Sequence, residues 1–259
     1  MKRTVPALLS VVLMLPLGGT VADAAFPGDN GAITFARFSN DQNDIWAVKP
    51  SGKKVRLTDT PKRSEGLADW NAAGTHIAYT KCGLKEFTNC DIWVMEADGS
   101  NQTRLTETPN PVQETWPTWS PDGTMIAYTS NAEDVFQDIW VMNADGTEQT
   151  RLTVNEAFDA FPEWSPDGTK IAFTSDLEQV DDIWTMAVDG TDRVRLTSGE
   201  GIDERPDWSP DGTQLLFSRD GNIWRVDADG TDLTKLTATR RHEFAPTFSP
   251  NGLRIAFNK

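Results

Sequence analysis

Five carboxylates recur at one fixed place in the chain. Glu65, Glu114, Asp159, Asp203 and Glu243 each stand five residues ahead of an aromatic residue that opens a tight turn. The turn reads Trp-Ser-Pro-Asp-Gly at 119–123, 164–168 and 208–212, with variants at 70–74 and 248–252. Turn geometry asks for nothing five residues earlier, so an acid in every copy needs another cause. Three readings are open. Gathered around one opening, the carboxylates form a ring that draws in a cation or a basic peptide, with a reach of about 8 Å at physiological salt. They could instead supply part of a Ca²⁺ site, which takes about six to eight oxygens and would need carbonyls and water as well. Or they solvate a loop and satisfy backbone N–H groups where the chain turns inward. Arg240, Arg241 and His242 run into the fifth acid; they are neighbouring candidates, either to pair with the ring or to touch a ligand.

Other chemistry finds less support. Two histidines in the whole chain rule out a three-His metal site. No Gly-x-Ser-x-Gly nucleophile elbow is present. Asp227-Ala228-Asp229-Gly230-Thr231-Asp232 resembles the start of a calcium loop, but the twelfth position is Ala238 rather than Glu, so a hairpin turn is expected there. Carboxylate pairs are abundant, yet the acids recur with the repeat, which points to architecture. The sequence therefore reads as a binding or scaffolding protein with no catalytic residue to name. The alternative is a lyase or hydrolase working through channel-face carboxylates, with or without a metal.

The elements that position these acids come as a repeat. Marker glycines Gly31, Gly74, Gly123, Gly168, Gly212 and Gly252 are spaced 43, 49, 45, 44 and 40 residues apart. Each interval carries a short apolar run after the turn, then Asp-Ile-Trp or Asn-Ile-Trp (44–46, 91–93, 138–140, 182–184, 222–224), and then Arg-Leu-Thr or Lys-Leu-Thr. Runs of four to six residues rich in Ile, Val, Phe and Trp are strands, too short for packed helices. Pro pre-sets φ in the Ser-Pro-Asp-Gly turn and Gly takes positive φ, while Ala-Asp-Gly-Thr serves as a second turn. Four short strands per 40–50 residues make a propeller blade. The predicted fold is thus all-β, a β-propeller of four-stranded antiparallel blades. A count of 21 strands favours six blades with the last incomplete; the alternative is five, with 244–249 closing the first blade and 253–257 left over. Nine of the ten tryptophans fall at repeat positions and are expected between blades; only Trp116 falls outside.

These strings resemble the PD40 repeats of the TolB-like β-propellers, over about residues 26–258. The resemblance implies the propeller fold. It implies less about function, since the same repeat occurs in scaffold proteins and in the propellers of serine peptidases. TolB itself carries an α/β domain ahead of its propeller, whereas only a leader precedes the first blade in this sequence.

Composition sets the surroundings. Against 39 acidic residues stand 24 basic ones, a formal net charge of −15, which leaves no basic footprint for nucleic acid and favours cationic partners. Lys2 and Arg3, the apolar run Ala7 to Leu17 and the small-x-small pattern Ala22-Asp23-Ala24 read as a signal peptide over 1–24. The run falls short of the roughly 20 residues a membrane span needs. Residues 25–259 are read as one domain, exported to the periplasm or beyond, not inserted in a membrane, and monomeric. Export permits a Cys82–Cys90 disulfide, the use expected for the two cysteines. The expected partner is a protein or peptide of basic character, and Ca²⁺ is the one cofactor the acidic ring suggests.

Overall fold

The computed structural model describes residues 32–39, 42–83, 89–109, 111–133 and 136–259. The leader read over 1–24 lies outside them. Every described element is a strand. Blade 1 comprises β1 (Ile33–Ser39), β2 (Gln42–Val48) and β3 (Lys54–Arg56). Blade 2 is β4 (Arg63–Trp70), β5 (His76–Gly83), β6 (Asp91–Glu96) and β7 (Thr103–Arg104). Blade 3 follows as β8 (Glu114–Trp119), β9 (Met125–Ser130), β10 (Asp138–Asn143) and β11 (Thr150–Arg151). Blade 4 is β12 (Asp159–Trp164), β13 (Lys170–Ser175), β14 (Asp182–Ala187) and β15 (Val194–Arg195). Blade 5 is β16 (Asp203–Trp208), β17 (Gln214–Arg219), β18 (Asn222–Asp227) and β19 (Thr234–Lys235). A closing hairpin pairs β20 (Phe244–Phe248) with β21 (Ile255–Asn258).

All ladders between these strands are antiparallel and join neighbours in sequence. The ring has five blades, the second of the two expected counts. Its closure differs from the one expected. β20 pairs with β21 and packs on blade 5, and among the described ladders it does not join β1. The hairpin covers Leu216 and Ile223 with Phe248 and Phe257.

Each repeated string has a local task. In the Ser-Pro-Asp-Gly turn at 165–168, the Ser165 hydroxyl donates to Asp167 at 2.6 Å, and Thr169 donates to the same oxygen from its N–H (3.0 Å) and its hydroxyl (2.9 Å). These donors hold the Asp167 carboxyl below its ordinary range. Asp227-Ala228-Asp229-Gly230 is the expected hairpin turn, with Asp229 accepting from Thr231. Gly146 in the second turn of blade 3 has φ of 87°, and a Cβ there would come within 2.8 Å of the Leu105 carbonyl oxygen. The Arg-Leu-Thr string fastens the outer strand. Arg151 meets Asp138 at 2.6 Å, and the Ile139 N–H donates to the Thr153 hydroxyl at 3.0 Å. The apolar core lies between blades. Ala78, Ile92 and Val94 of blade 2 pack against Trp119, Ile126, Tyr128, Trp140 and Met142 of blade 3, and the pattern repeats to blade 5.

Candidate functional site

The fifth-position acids open the innermost strands, at the end where the connections between blades arrive. They are enclosed there, not exposed: Glu65 and Glu114 show 1% of their surface and Asp159, Asp203 and Glu243 none. Strand register gives the reason. Four sit across from the last residue of the second strand or the residue just past it, Glu65 sits across from Lys81 two residues before the end of β5, and three of the facing residues are bases. Lys81 meets Glu65 at 3.3 Å, Arg219 grips Asp203 through two nitrogens at 2.5 Å, and Lys259 meets Glu243 at 3.1 Å. Glu114 and Asp159 face Ser130 and Ser175 instead, and Asn155 donates to Asp159 at 2.9 Å. Their backbone N–H groups donate to the preceding blade: Glu114 to Cys90, Asp159 to Gln137, Asp203 to Asp181 and Glu243 to Gly221. Burial raises the carboxyls of Glu65, Asp159 and Asp203, and raises that of Glu114 to about 7. For Glu243, burial is outweighed by the hydroxyls of Thr237 and Thr239 and by Lys259, so the net shift is downward. Lys81, Arg219 and Lys259 thus answer three of the acids, while oxygens of Glu65, Glu114, Asp159 and Glu243 stay buried without a hydrogen bond. Among the described residues no three His, Cys, Asp or Glu side chains assemble as a metal-ligating group.

Two other columns of the same strand reach the axis. Two residues beyond each acid the ladder bulges, and the bulge residue takes positive φ: Leu67 (54°), Trp116 (57°), Phe161 (58°), Arg205 (61°) and Ala245 (49°). A hydroxyl from the preceding blade holds three of these bulges, accepting the N–H of Phe161 (Thr129, 3.3 Å), Arg205 (Thr174, 3.1 Å) and Ala245 (Ser218, 3.0 Å). Proline follows the bulge in four copies, at 117, 162, 206 and 246. That suits an inner edge where no ladder needs an N–H. The bulge aims three side chains at one another across blades. The Arg205 guanidinium of blade 5 lies 4.2 Å from the ring centre of Trp116 in blade 3 and 4.8 Å from that of Phe161 in blade 4; the two rings meet edge to face at 4.6 Å. Contact between blades 3 and 5 is possible only over the axis, so this stack stands in the channel.

Further along the strand come Asp69, Thr118, Glu163, Asp207 and Thr247. The Asp69 carboxylate accepts the Trp119 N–H at 2.9 Å, and Asp207 accepts the Phe248 N–H at 2.8 Å and the Thr247 hydroxyl at 2.9 Å. Asp69, Glu163 and Asp207 feel one another's charge although they belong to blades 2, 4 and 5. They lie deep in the molecule but keep partial contact with channel solvent. Burial pushes Asp69 up to about 6 and Asp207 to about 7. Glu163 is raised well above its ordinary range by burial and by its two acidic neighbours.

The face around this channel mouth is apolar in patches. Phe38, Phe136, Val154, Leu177 and Ile202 are exposed on it, while the opposite face is built of the polar turns and exposes Leu253. The disulfide Cys82–Cys90 is formed and ties the β5–β6 loop at the mouth. Arg240, Arg241 and His242 are exposed beside the mouth, with His242 lying over Gly221. His76 is exposed, next to the Thr75 hydroxyl.

Known proteins agree with this architecture. Residues 132–259 match PD40, the TolB beta propeller domain. The chain has the fold of a TolB-like propeller. A search of the curated proteins finds no match. Among solved structures, a putative TolB from Agrobacterium tumefaciens superposes with a TM-score of 0.74 at 20% identity, over 96% of this chain and 89% of that one. TolB from Acinetobacter baumannii gives 0.72 at 20% identity over 92% of this chain, and this TolB-like propeller spans 57% of that protein's length. An oligogalacturonate lyase in complex with manganese gives 0.63 at 14% identity, over 89% of this chain and 74% of that one. At these identities the likeness is one of fold.

Proposed function

We propose that this TolB-like propeller is an exported, non-catalytic module that binds a protein or peptide segment at the channel mouth. The observation that carries the reading is the bulge column. A non-glycine residue held at left-handed φ costs on the order of 1–3 kcal/mol, and glycine would serve if only the bend mattered. The chain nevertheless places Trp116, Phe161 and Arg205 there, aimed into the channel and ringed by exposed apolar side chains. Aromatic and arginine anchors within an apolar patch are the usual makings of a protein-binding hot spot. The leader read over 1–24 and the disulfide support export. A net charge of −15 and the acids Asp69, Glu163 and Asp207 along the channel favour a segment of overall basic character. The five enclosed acids Glu65, Glu114, Asp159, Asp203 and Glu243 contribute to that field and stiffen the mouth, and the proposal needs no metal among them. Photo-crosslinking amino acids at Val154 and Ile202 should capture a partner from the native envelope, while the same group at Leu253 on the opposite face should not. Equal yields at all three positions would rule the mouth out.

A second reading, a lyase or hydrolase, is favoured by one observation. Asp69, Glu163 and Asp207 are unequally shifted carboxyls facing one channel, the arrangement from which an acid and a base can be drawn. If so, Glu163→Gln abolishes turnover of an acidic polysaccharide, a loss that the docking reading does not predict.

A further inference from the structure

Arg205 differs from the five blade arginines that are paired with a carboxylate. Arg56, Arg104, Arg151 and Arg195 each meet the carboxylate of their Asp-Ile-Trp unit at 2.6–2.7 Å, and Arg219 grips Asp203. The Arg205 guanidinium instead rests on Trp116 and Phe161, and among the described residues no side chain or carbonyl accepts its N–H groups. Glu204 beside it adds a favourable field, and burial lowers its pKa only to about 10, so it is a cation at neutral pH. A guanidinium offers five donors in a rigid fork, and two aromatic faces satisfy part of its charge but none of those donors. The Arg205 nitrogens are not among the fully enclosed ones, so its N–H groups stay open to solvent and to a ligand. Its position is fixed twice over, by the bulge that the Thr174 hydroxyl holds at 3.1 Å and by the two rings it rests against.

Resting on the docking reading above, we infer that Arg205 is the receptor for a carboxylate carried by the docked segment, either its C-terminus or an acidic side chain. The fork matches a carboxylate through two parallel hydrogen bonds, and the rings offer the adjoining carbons an apolar slot. The surrounding field sharpens the choice. A net charge of −15 repels free anions, so a small carboxylate binds weakly, whereas one attached to a segment already held by the apolar mouth gains a high effective concentration. The partner is then a segment that is basic overall with one buried acid.

The test uses the full chain labelled with 5-fluorotryptophan, the Trp116 resonance being assigned by its loss in Trp116→Phe. Benzoate should shift that resonance saturably at constant ionic strength, and benzamide should bind about tenfold more weakly or not at all. Arg205→Lys, which keeps the charge but loses the fork, should weaken benzoate about tenfold. Arg205→Gln should erase the preference over benzamide while the other fluorine resonances stay in place, which shows the fold intact. N-acetylphenylalanine against its amide tests a chain terminus, and N-acetyl-aspartyl-phenylalaninamide tests a side chain. Equal response to acid and amide, no response to either, or a preference that survives Arg205→Gln overturns the inference. Failure here is separable from failure of the docking reading. If the inference alone is wrong, the parent still crosslinks through Ile202 although it does not distinguish benzoate from benzamide; if docking is wrong, the parent does not crosslink there at all.

Discussion

The three channel carboxyls hold the clearest consequence at the scale of single residues. Asp69, Glu163 and Asp207 all bind protons more tightly in the fold than in the unfolded chain. Between the ordinary carboxyl range and neutrality the folded state therefore holds more protons than the unfolded one, so stability falls as pH rises. The melting temperature should be higher near pH 5 than near pH 8. Glu163→Gln, which removes the most strongly raised of the three carboxyls, should flatten that slope and raise the melting point at pH 8 by about 2–4 °C for each kcal/mol regained. Thermal unfolding across this pH range measures both, and a parent that gains stability from pH 5 to pH 8 would contradict the assignment.

At the scale of the element, the inner strand is built to bend. Its bulge depends on a hydroxyl lent by the neighbouring blade, so Thr174→Val should leave the Arg205 N–H without its acceptor. The expected cost is about 1–3 kcal/mol by chemical denaturation, with the Trp116 environment disturbed as well. Ala245→Gly should do the reverse and stabilise slightly, because glycine adopts the left-handed conformation without strain. Strand positions and turns were legible in the sequence, since apolar runs, Ser-Pro-Asp-Gly and Ala-Asp-Gly-Thr each answer a local demand. The bulge was not. It shifts the facing of every residue after it, so the column five before the aromatic turns into the blade while the columns three and one before it turn to the axis. One signal was available: Trp116 was the single tryptophan outside the repeat, and a large aromatic with no repeat duty is a candidate for contact with something else.

At the scale of the molecule, the five blades share their apolar core pairwise, so loosening one mouth loop should propagate only to its neighbours. Cys82→Ser with Cys90→Ser should lower the unfolding free energy by no more than about 2–3 kcal/mol in the chain-entropy account, and leave the mouth stack of blades 3 to 5 in place. Trp116 fluorine resonances in the double variant would report this directly. A collapsed stack would mean that the blades are coupled more tightly than their packing suggests.

Local chemistry alone decided the strands, the turns, the all-β class, the repeat that marks a TolB-like propeller and the pairing of the two cysteines, because each is written into contacts a few residues apart or into a period. Three things waited for the tertiary structure. The blade count and the place of the last hairpin depend on how edges meet. The enclosure of Glu65, Glu114, Asp159, Asp203 and Glu243 depends on which partner the ladder puts opposite each one. The stack of Trp116, Phe161 and Arg205 joins residues about 45 apart in sequence that meet only because radial blades bring their inner strands to one axis.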